Sequence, residues 1–200
     1  MGRGVGDTGQ AAVLDGSEIR RLIKIAGTTT HPHRDQTVVV LSYWLGLRAK
    51  ELASLRVGDV YLPDGSVKQI LHLKSAYTKK GKVRDVYLSS DVVHRRLKEY
   101  WSEFAFKFDP LKPLFATRSG KAFTPNGMVH LLRHLHGLAG IEGGSSHSGR
   151  RTMITRLAES GVDLKSIATL AGHSSIRTTA VYVENNPERL SKIMGGVDLL

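Results

Sequence analysis

The sequence contains no cysteine. This absence excludes disulfide bonds, thiolate zinc sites and a cysteine nucleophile. Long apolar runs are also missing, since no segment approaches 18 consecutive apolar residues and residues 1–13 lack the apolar core of a secretion signal. These absences predict a soluble protein that works inside the cell.

Acidic residues are scarce relative to basic ones. The chain has 29 Lys and Arg against 18 Asp and Glu, a net charge of +11. In 200 residues, the length of about one domain, such an excess is typical of proteins with a polyanionic partner, most often nucleic acid. The alternative is a generally basic soluble protein. Charge therefore indicates a class of partner but not a chemistry.

The apolar pattern predicts a mainly helical fold with one small antiparallel sheet. Residues 1–13 are rich in glycine and are interpreted as a mobile tail. Asp15 and Glu18 predict a capping box at the start of a helix, and Thr124 with Pro125 predicts another helix start. Further helices are predicted over 34–47, 46–60, 90–106, 152–160, 163–172, 174–182 and 187–195, and strands over 67–74, 83–88 and 114–116.

The histidines do not predict a metal site. The segment 28–33 is interpreted as a loop that stops at Pro32, and its His-Pro-His has no second ligand cluster at usable spacing. His130, His134 and His136 lie on or beside the helix that starts at Pro125. They are interpreted as surface or DNA-side residues.

The stretch from His147 to Tyr182 holds the parts needed to attack a phosphodiester. His147 and Arg150 are three residues apart, so they share a face if a helix opens here, and both can donate hydrogen bonds to one anion. His173 adds a third donor and Tyr182 a phenol. The alternatives are that His173 only caps a helix and that Tyr182 is an ordinary half-buried aromatic residue.

More basic residues lie outside this stretch. Arg48 follows a helix break at Gly46 and has Glu51 three residues later. It is either a rigidly held guanidinium or one half of a surface salt bridge of small value, with Glu51 in a structural role. A basic turn between the two longer strands carries Lys79, Lys80 and Lys82, and such a turn either contacts a phosphate or is simply solvated.

In this order and spacing, these residues resemble the motifs of the tyrosine recombinases, the phage-integrase family that includes the Xer recombinases. G-L-R-x-x-E-L is matched by residues 46–52, H-x-x-R by 147–150, and L-x-G-H-x-x-x-x-T-T-x-x-Y by 170–182. The family's catalytic lysine lies on a turn between strands, where Lys79 fits best and Lys80 or Lys82 are alternatives. The resemblance covers residues 14–195.

The sequence departs from the family pattern in three places. The second motif usually continues Leu-Arg-His, whereas Gly149 precedes Arg150 here and Arg151 follows it; Glu184 replaces a frequent histidine. Many relatives also carry an N-terminal core-binding domain, which a tail of 13 residues cannot form. The predicted organisation is a tail over 1–13 and a catalytic domain over 14–200 with a C-terminal helix at 187–195. This is either an excised catalytic domain or a short member resembling the fimbrial phase-switch invertases.

The resemblance implies the catalytic-domain fold of the tyrosine recombinases and a defined chemistry. Tyr182 would attack the scissile phosphorus and leave a 3′-phosphotyrosyl link with a free 5′-hydroxyl. Arg48, Arg150 and His173 would hold the phosphate, while Lys79 would protonate the leaving oxygen and His147 would assist proton transfer at the tyrosine. No metal, nucleotide or other cofactor is required.

The resemblance also implies double-stranded DNA as the partner, a tetrameric synapse of copies on DNA, in some cases an accessory DNA-binding protein, and a place at the nucleoid in the cytoplasm. The candidates for contacts with the DNA backbone are Lys80, Lys82, Arg84, Arg151 and Arg177. Two other functions stay open: a nicking and resealing enzyme of the type IB topoisomerase kind, and a non-catalytic DNA-binding protein on the same fold.

Overall fold

The computed structural model describes residues 11–77, 83–103, 108–182 and 194–195. Most of these residues are helical, as predicted. The helices are α1 (Gly16–Ala26), α2 (Pro32–Leu45), α3 (Ala49–Ser54), α4 (Val57–Val60), α5 (Asp91–Tyr100), α6 (Pro125–Leu138), α7 (Ser148–Glu159), α8 (Leu164–Ala171) and α9 (Ile176–Ala180). The strands β1 (Ile70–Leu73) and β2 (Arg84–Tyr87) pair antiparallel, with Leu73 opposite Arg84.

The predicted helix starts at Asp15 and Thr124 are confirmed. Asp15 accepts hydrogen bonds from the backbone N–H groups of Ser17 and Glu18, and the Glu18 side chain accepts one from the Asp15 N–H. The loop predicted over 28–33 does end at Pro32, but the helix predicted from residue 34 begins two residues earlier, because Pro32 is the first residue of α2. Proline fits that position since the first N–H of a helix has no partner within the helix.

Three other predicted elements differ from the structure. The single helix predicted over 46–60 is two helices, α3 and α4, separated by Leu55 and Arg56 in extended conformation. Residues 114–116 do not form a strand; Ala116 makes an isolated bridge to Ala122. The helix that begins after Ser90 ends at Tyr100 and continues as a single 3-10 turn over Trp101–Glu103. The rest of that predicted helix, residues 104–106, lies outside the described residues, as does the predicted C-terminal helix apart from Met194 and Gly195.

The core consists of three apolar clusters. The largest joins α2, α3, α5, α6 and the sheet around Leu41, Leu52 and Leu97, and a second joins α1 to α2 and α6. The third lies between α7 and α8 around Ile154 and Ile167, and Tyr182 packs against its edge. Helix α7 is thereby held between the main body and the segment that ends at Tyr182. None of the described helices is long and apolar enough to cross a membrane.

The interpretation of His136 as a surface or DNA-side residue is wrong, because its side chain is buried. Its Nδ1 lies 2.7 Å from the carbonyl oxygen of Leu132, and its Nε2 lies 2.7 Å from the Tyr43 hydroxyl. Burial lowers the pKa of His136. A neutral imidazole can donate through one nitrogen and accept through the other, so both nitrogens are satisfied inside the core. His130 and His134 are exposed, as predicted.

The glycine that departs from the family pattern lies where α7 touches α2. A Cβ at Gly149 would come within 2.8 Å of the carbonyl carbon and oxygen of Ser42 on α2. Real Cβ atoms do not approach backbone atoms this closely, so one of the two helices would have to move. Gly149 therefore allows the close packing of the helix that carries Arg150.

We expect Gly149→Ala to lower the free energy of unfolding by about 1–3 kcal/mol, the usual effect of overpacking. The measurement is the urea midpoint at constant m value. The control is Gly137→Ala on α6, where an added Cβ meets no atom within 4 Å. Alanine is the better helix former, so this control should keep or slightly raise the midpoint. Equal midpoints for the two variants would contradict the packing argument.

Candidate active site

The first part of the site is the junction between α2 and α3. Gly46 ends α2 in the left-handed conformation, with φ of 60°, and a Cβ at this position would lie 2.8 Å from the Met153 sulfur. The chain then turns so that Arg48 is the N-cap residue of α3. The helix break predicted at Gly46 is confirmed, and it sets the position of Arg48 relative to α7.

Glu51 joins two arginines inside the protein. Its carboxylate is fully buried and accepts hydrogen bonds from the Arg48 guanidinium at 2.8 Å, the Arg48 backbone N–H at 2.8 Å and the Arg84 guanidinium at 2.9 Å. Burial alone would raise the pKa of Glu51, but the charges of Arg84 and Arg48 and the backbone N–H lower it below its ordinary value. These contacts fit the structural role predicted for Glu51, because its carboxylate holds the Arg48 side chain. The same carboxylate also holds Arg84.

Arg150 lies in the first turn of α7 and is 6% exposed. Its guanidinium donates to the carbonyl oxygen of Gly46 at 3.0 Å and to that of Ala171. These two bonds tie α7 to the ends of α2 and α8. Burial, followed by the charges of Arg48 and Arg84, lowers the pKa of Arg150 to about 9. Arg150 is therefore a buried cation beside two other cations, a combination suited to an incoming anion.

His173 follows the end of α8. Gly172 is left-handed, with φ of 64°, and the N–H of His173 bonds back to the carbonyl oxygen of Ala168 at 2.8 Å, closing a Schellman cap. The ring is half-buried, and burial, with the charges of Arg150, Arg48 and Arg84, lowers its pKa to about 4. His173 is neutral at pH 7 and lies within the field of all three arginines.

Tyr182 lies next to His173. The two rings are 6.2 Å apart between centroids and inclined by 20°, a stacked arrangement. Tyr182 is also close enough to Arg150 for the two groups to interact electrostatically. The structure thus brings Arg48, Arg150, His173 and Tyr182 into one region, from four separate elements of the chain.

The remaining predicted catalytic residues are His147 and Lys79. His147 is the exposed N-cap residue of α7, three residues before Arg150. A helix therefore does open at this pair. Lys79, with its alternatives Lys80 and Lys82, lies outside the described residues. Their roles stay predictions.

The predicted DNA contacts also differ from one another. Arg84 faces inward: its side chain is 9% exposed and donates to Glu51 and, at 2.7 Å, to the Leu170 carbonyl oxygen. This placement does not favour direct contact with DNA. Arg151 donates to the Ala11 carbonyl oxygen at 2.6 Å, which holds a residue of the predicted mobile tail against α7. Arg177 is exposed, as a backbone contact requires.

Sequence reasoning missed two contributors to the site, Arg84 in the ion-pair network and Thr179 beside His173. The Thr179 hydroxyl lies 2.9 Å from His173 Nδ1, and Thr179 is fully buried. Thr179 stands in the third motif, which was a usable signal. Arg84 gave no local signal, because its partners are 33 and 86 residues away. The described residues contain no group of three His, Cys, Asp or Glu that could hold a metal ion.

Comparison with known proteins identifies the family of this chain. The model of the phage integrase family matches residues 12–189. Tyrosine recombinase XerD of Oceanobacillus iheyensis is 32% identical over 183 residues, covering 89% of this chain and 59% of the relative. The chain thus spans about three-fifths of the length of that relative.

Solved structures share the fold. The crystal structure of XerA recombinase superposes with a TM-score of 0.74 at 25% identity, over 93% of this chain and 65% of that one. XerH site-specific recombinase in a post-cleavage complex with its difH substrate has a TM-score of 0.69 at 21% identity, over 92% and 53% of the two chains. The predicted fold class is confirmed, and this chain belongs to the phage integrase family, the family of the tyrosine recombinases.

Proposed function

We propose that this chain provides the catalytic domain of a site-specific DNA recombinase that cuts and rejoins DNA through a 3′-phosphotyrosyl intermediate. The observation that supports this most is the position of Tyr182: its ring stacks on His173, and His173 lies within the field of Arg48 and Arg150. The relatives are named tyrosine recombinases, and the XerH structure is a post-cleavage complex with its difH substrate. The net charge of +11 suits the same partner.

In the first step the Tyr182 oxygen forms a bond to the scissile phosphorus. The bond from phosphorus to the 5′-oxygen breaks, and that oxygen leaves as a hydroxyl after taking a proton from Lys79. A neutral phenol is a weak nucleophile, so its proton must leave as the bond forms, and His147 assists that transfer. The phosphodiester is exchanged for a phosphotyrosyl ester, and no external energy source is needed.

The arginines stabilise the charge that builds up on the non-bridging oxygens. A guanidinium binds two oxygens at once, and Arg48 and Arg150 are held in place before DNA arrives by Glu51 and by two backbone carbonyls. His173 donates a further hydrogen bond. With this much positive charge supplied by side chains, the reaction is expected to proceed in a metal chelator.

Rejoining is the reverse attack by a 5′-hydroxyl from another duplex, so recombination needs more than one copy on DNA. A tetrameric synapse on double-stranded DNA, help from an accessory DNA-binding protein, and a location at the nucleoid belong to this proposal.

The test is a search for the covalent adduct. Nicked suicide duplexes and supercoiled plasmid carrying DNA from beside the gene are incubated with the protein in EDTA and resolved on a denaturing gel. Wild type should form a protein–DNA adduct, and Tyr182→Phe should form none because it lacks the attacking oxygen. Tyr87→Phe, which alters an exposed tyrosine on β2, is the matched control and should behave as wild type.

Each alternative function has its own signature in this experiment. Plasmid relaxation through an adduct, with no exchanged product, would favour the nicking and resealing enzyme. Binding to a verified site without an adduct would favour the non-catalytic DNA-binding protein. An adduct that persists in Tyr182→Phe would show that another residue is the nucleophile.

A further inference from the structure

The hydrogen bond between Thr179 and His173 constrains where the imidazole carries its proton. Thr179 Oγ1 lies 2.9 Å from His173 Nδ1. Thr179 belongs to α9, and His173 lies in the segment just before that helix. At neutral pH the ring is uncharged, because burial and the three arginines disfavour the imidazolium. An uncharged imidazole has one N–H and one bare nitrogen, so two tautomers are available to it.

The burial of Thr179 decides between the two tautomers. Thr179 is 0% exposed, and within the described part of the chain its hydroxyl has no hydrogen-bond partner other than His173. If Nδ1 carried the proton and donated to Oγ1, the hydroxyl hydrogen would be buried without an acceptor, which costs free energy. If the hydroxyl donates to a bare Nδ1, both groups are satisfied. The second arrangement places the ring proton on Nε2.

We propose that Thr179 is a positioning residue, which holds His173 as the Nε2–H tautomer so that this nitrogen can donate to a non-bridging oxygen of the scissile phosphate. This inference rests on the proposed function for its consequence, but the tautomer is a property of the free protein. The opposite tautomer would present a bare nitrogen to an anion, which repels it. A Thr179 side chain that only filled space in the interior would not select either tautomer.

The neighbouring residue offers a matched control. Thr178 precedes Thr179 in the same helix but is exposed, so Thr178→Val makes the same chemical change away from the imidazole. Thr179→Val removes the hydroxyl with little change of volume, and Thr179→Ser keeps the hydroxyl while removing a methyl group. If Thr179 matters for packing, Thr179→Ser should be impaired because it loses volume. If Thr179 matters for the tautomer, Thr179→Val should be impaired because it loses the hydroxyl.

The first measurement is NMR of the 200-residue chain with ¹⁵N-labelled histidine, with the His173 signals assigned by their loss in His173→Gln. We expect wild type, Thr179→Ser and Thr178→Val to show a protonated Nε2 and a bare Nδ1, and Thr179→Val to show a mixture of tautomers. A protonated Nδ1 in wild type, or an unchanged pattern in Thr179→Val, would overturn the inference.

The second measurement is the rate of adduct formation on the suicide duplex at saturating DNA. Thr179→Val should be about tenfold slower, the ordinary effect of one hydrogen bond, with unchanged affinity for DNA, while Thr179→Ser and Thr178→Val stay near the wild-type rate. Equal losses in Thr179→Ser and Thr179→Val would show a packing role and overturn the proposal. If wild type forms no adduct, the proposed function fails, and the NMR pattern still decides the tautomer.

Discussion

Replacing Glu51 by alanine should lower the free energy of unfolding by about 3–5 kcal/mol, the usual cost of removing one partner from a buried ion pair. The carboxylate is fully buried and lies between the guanidinium groups of Arg48 and Arg84. Without it, the Arg84 side chain, which is 9% exposed, keeps its charge but loses its anionic partner. Urea denaturation at pH 7 measures the change, and adduct formation should fall with it because Arg48 is no longer held.

Glu99→Ala is the control for this variant. Glu99 pairs with Arg96 at 2.8 Å, but its side chain is 44% exposed, so water replaces the lost partner. An exposed pair of this kind contributes about 0.2–1 kcal/mol. If Glu51→Ala destabilised the protein no more than Glu99→Ala does, the buried network would not be a main contributor to stability.

The pH dependence of stability gives a second check on the same network. The pKa of Glu51 is lower in the folded protein than its ordinary value. Its contribution to stability is therefore complete above the ordinary pKa of a glutamate and is lost as the pH falls through the lower folded value. The difference in unfolding free energy between wild type and Glu51→Gln should shrink over that acidic range. A constant difference would contradict the assigned network.

The sequence predicted well those features of the fold that depend on residues close together in the chain. The capping box at Asp15 and Glu18 and the break at Gly46 before Arg48 are local, and the motif spacing located the candidate residues. Arg84 was interpreted as a DNA contact because nothing near it in the chain shows that it meets Glu51 and Leu170. A contact between distant segments leaves no periodic signal in either one.

His136 shows a different limit of sequence reasoning. It lies four residues after Leu132, on the buried face of α6, and helical spacing alone assigns it there. Its polarity led to the opposite interpretation. The deciding fact is that Tyr43 on α2 and the Leu132 carbonyl oxygen satisfy both ring nitrogens. That fact requires the packing of two helices, which the sequence does not show.

Arg150→Gln should have the opposite balance of effects from Glu51→Ala, with a large loss of activity and a smaller change in stability. Arg150 is a buried cation whose pKa is lowered to about 9, so folding works against its charge, and a neutral glutamine removes that cost. The variant loses one of two bonds to the carbonyl oxygens of Gly46 and Ala171, which costs about 1–3 kcal/mol and opposes the gain.

The activity of Arg150→Gln should nevertheless fall about 10²–10³-fold, since losing one preorganised donor raises the barrier by about 2.7–4 kcal/mol. The measurements are the urea midpoint and the rate of adduct formation at saturating DNA. Arg156→Gln is the matched control, because Arg156 lies on the same helix and donates to the Leu14 carbonyl oxygen from an exposed position. Wild-type cleavage by Arg150→Gln would remove Arg150 from the phosphate site. A stability loss as large as that of Glu51→Ala would mean that Arg150 mainly stabilises the fold. It would contradict the view that Arg150 lowers stability and serves to bind the phosphate.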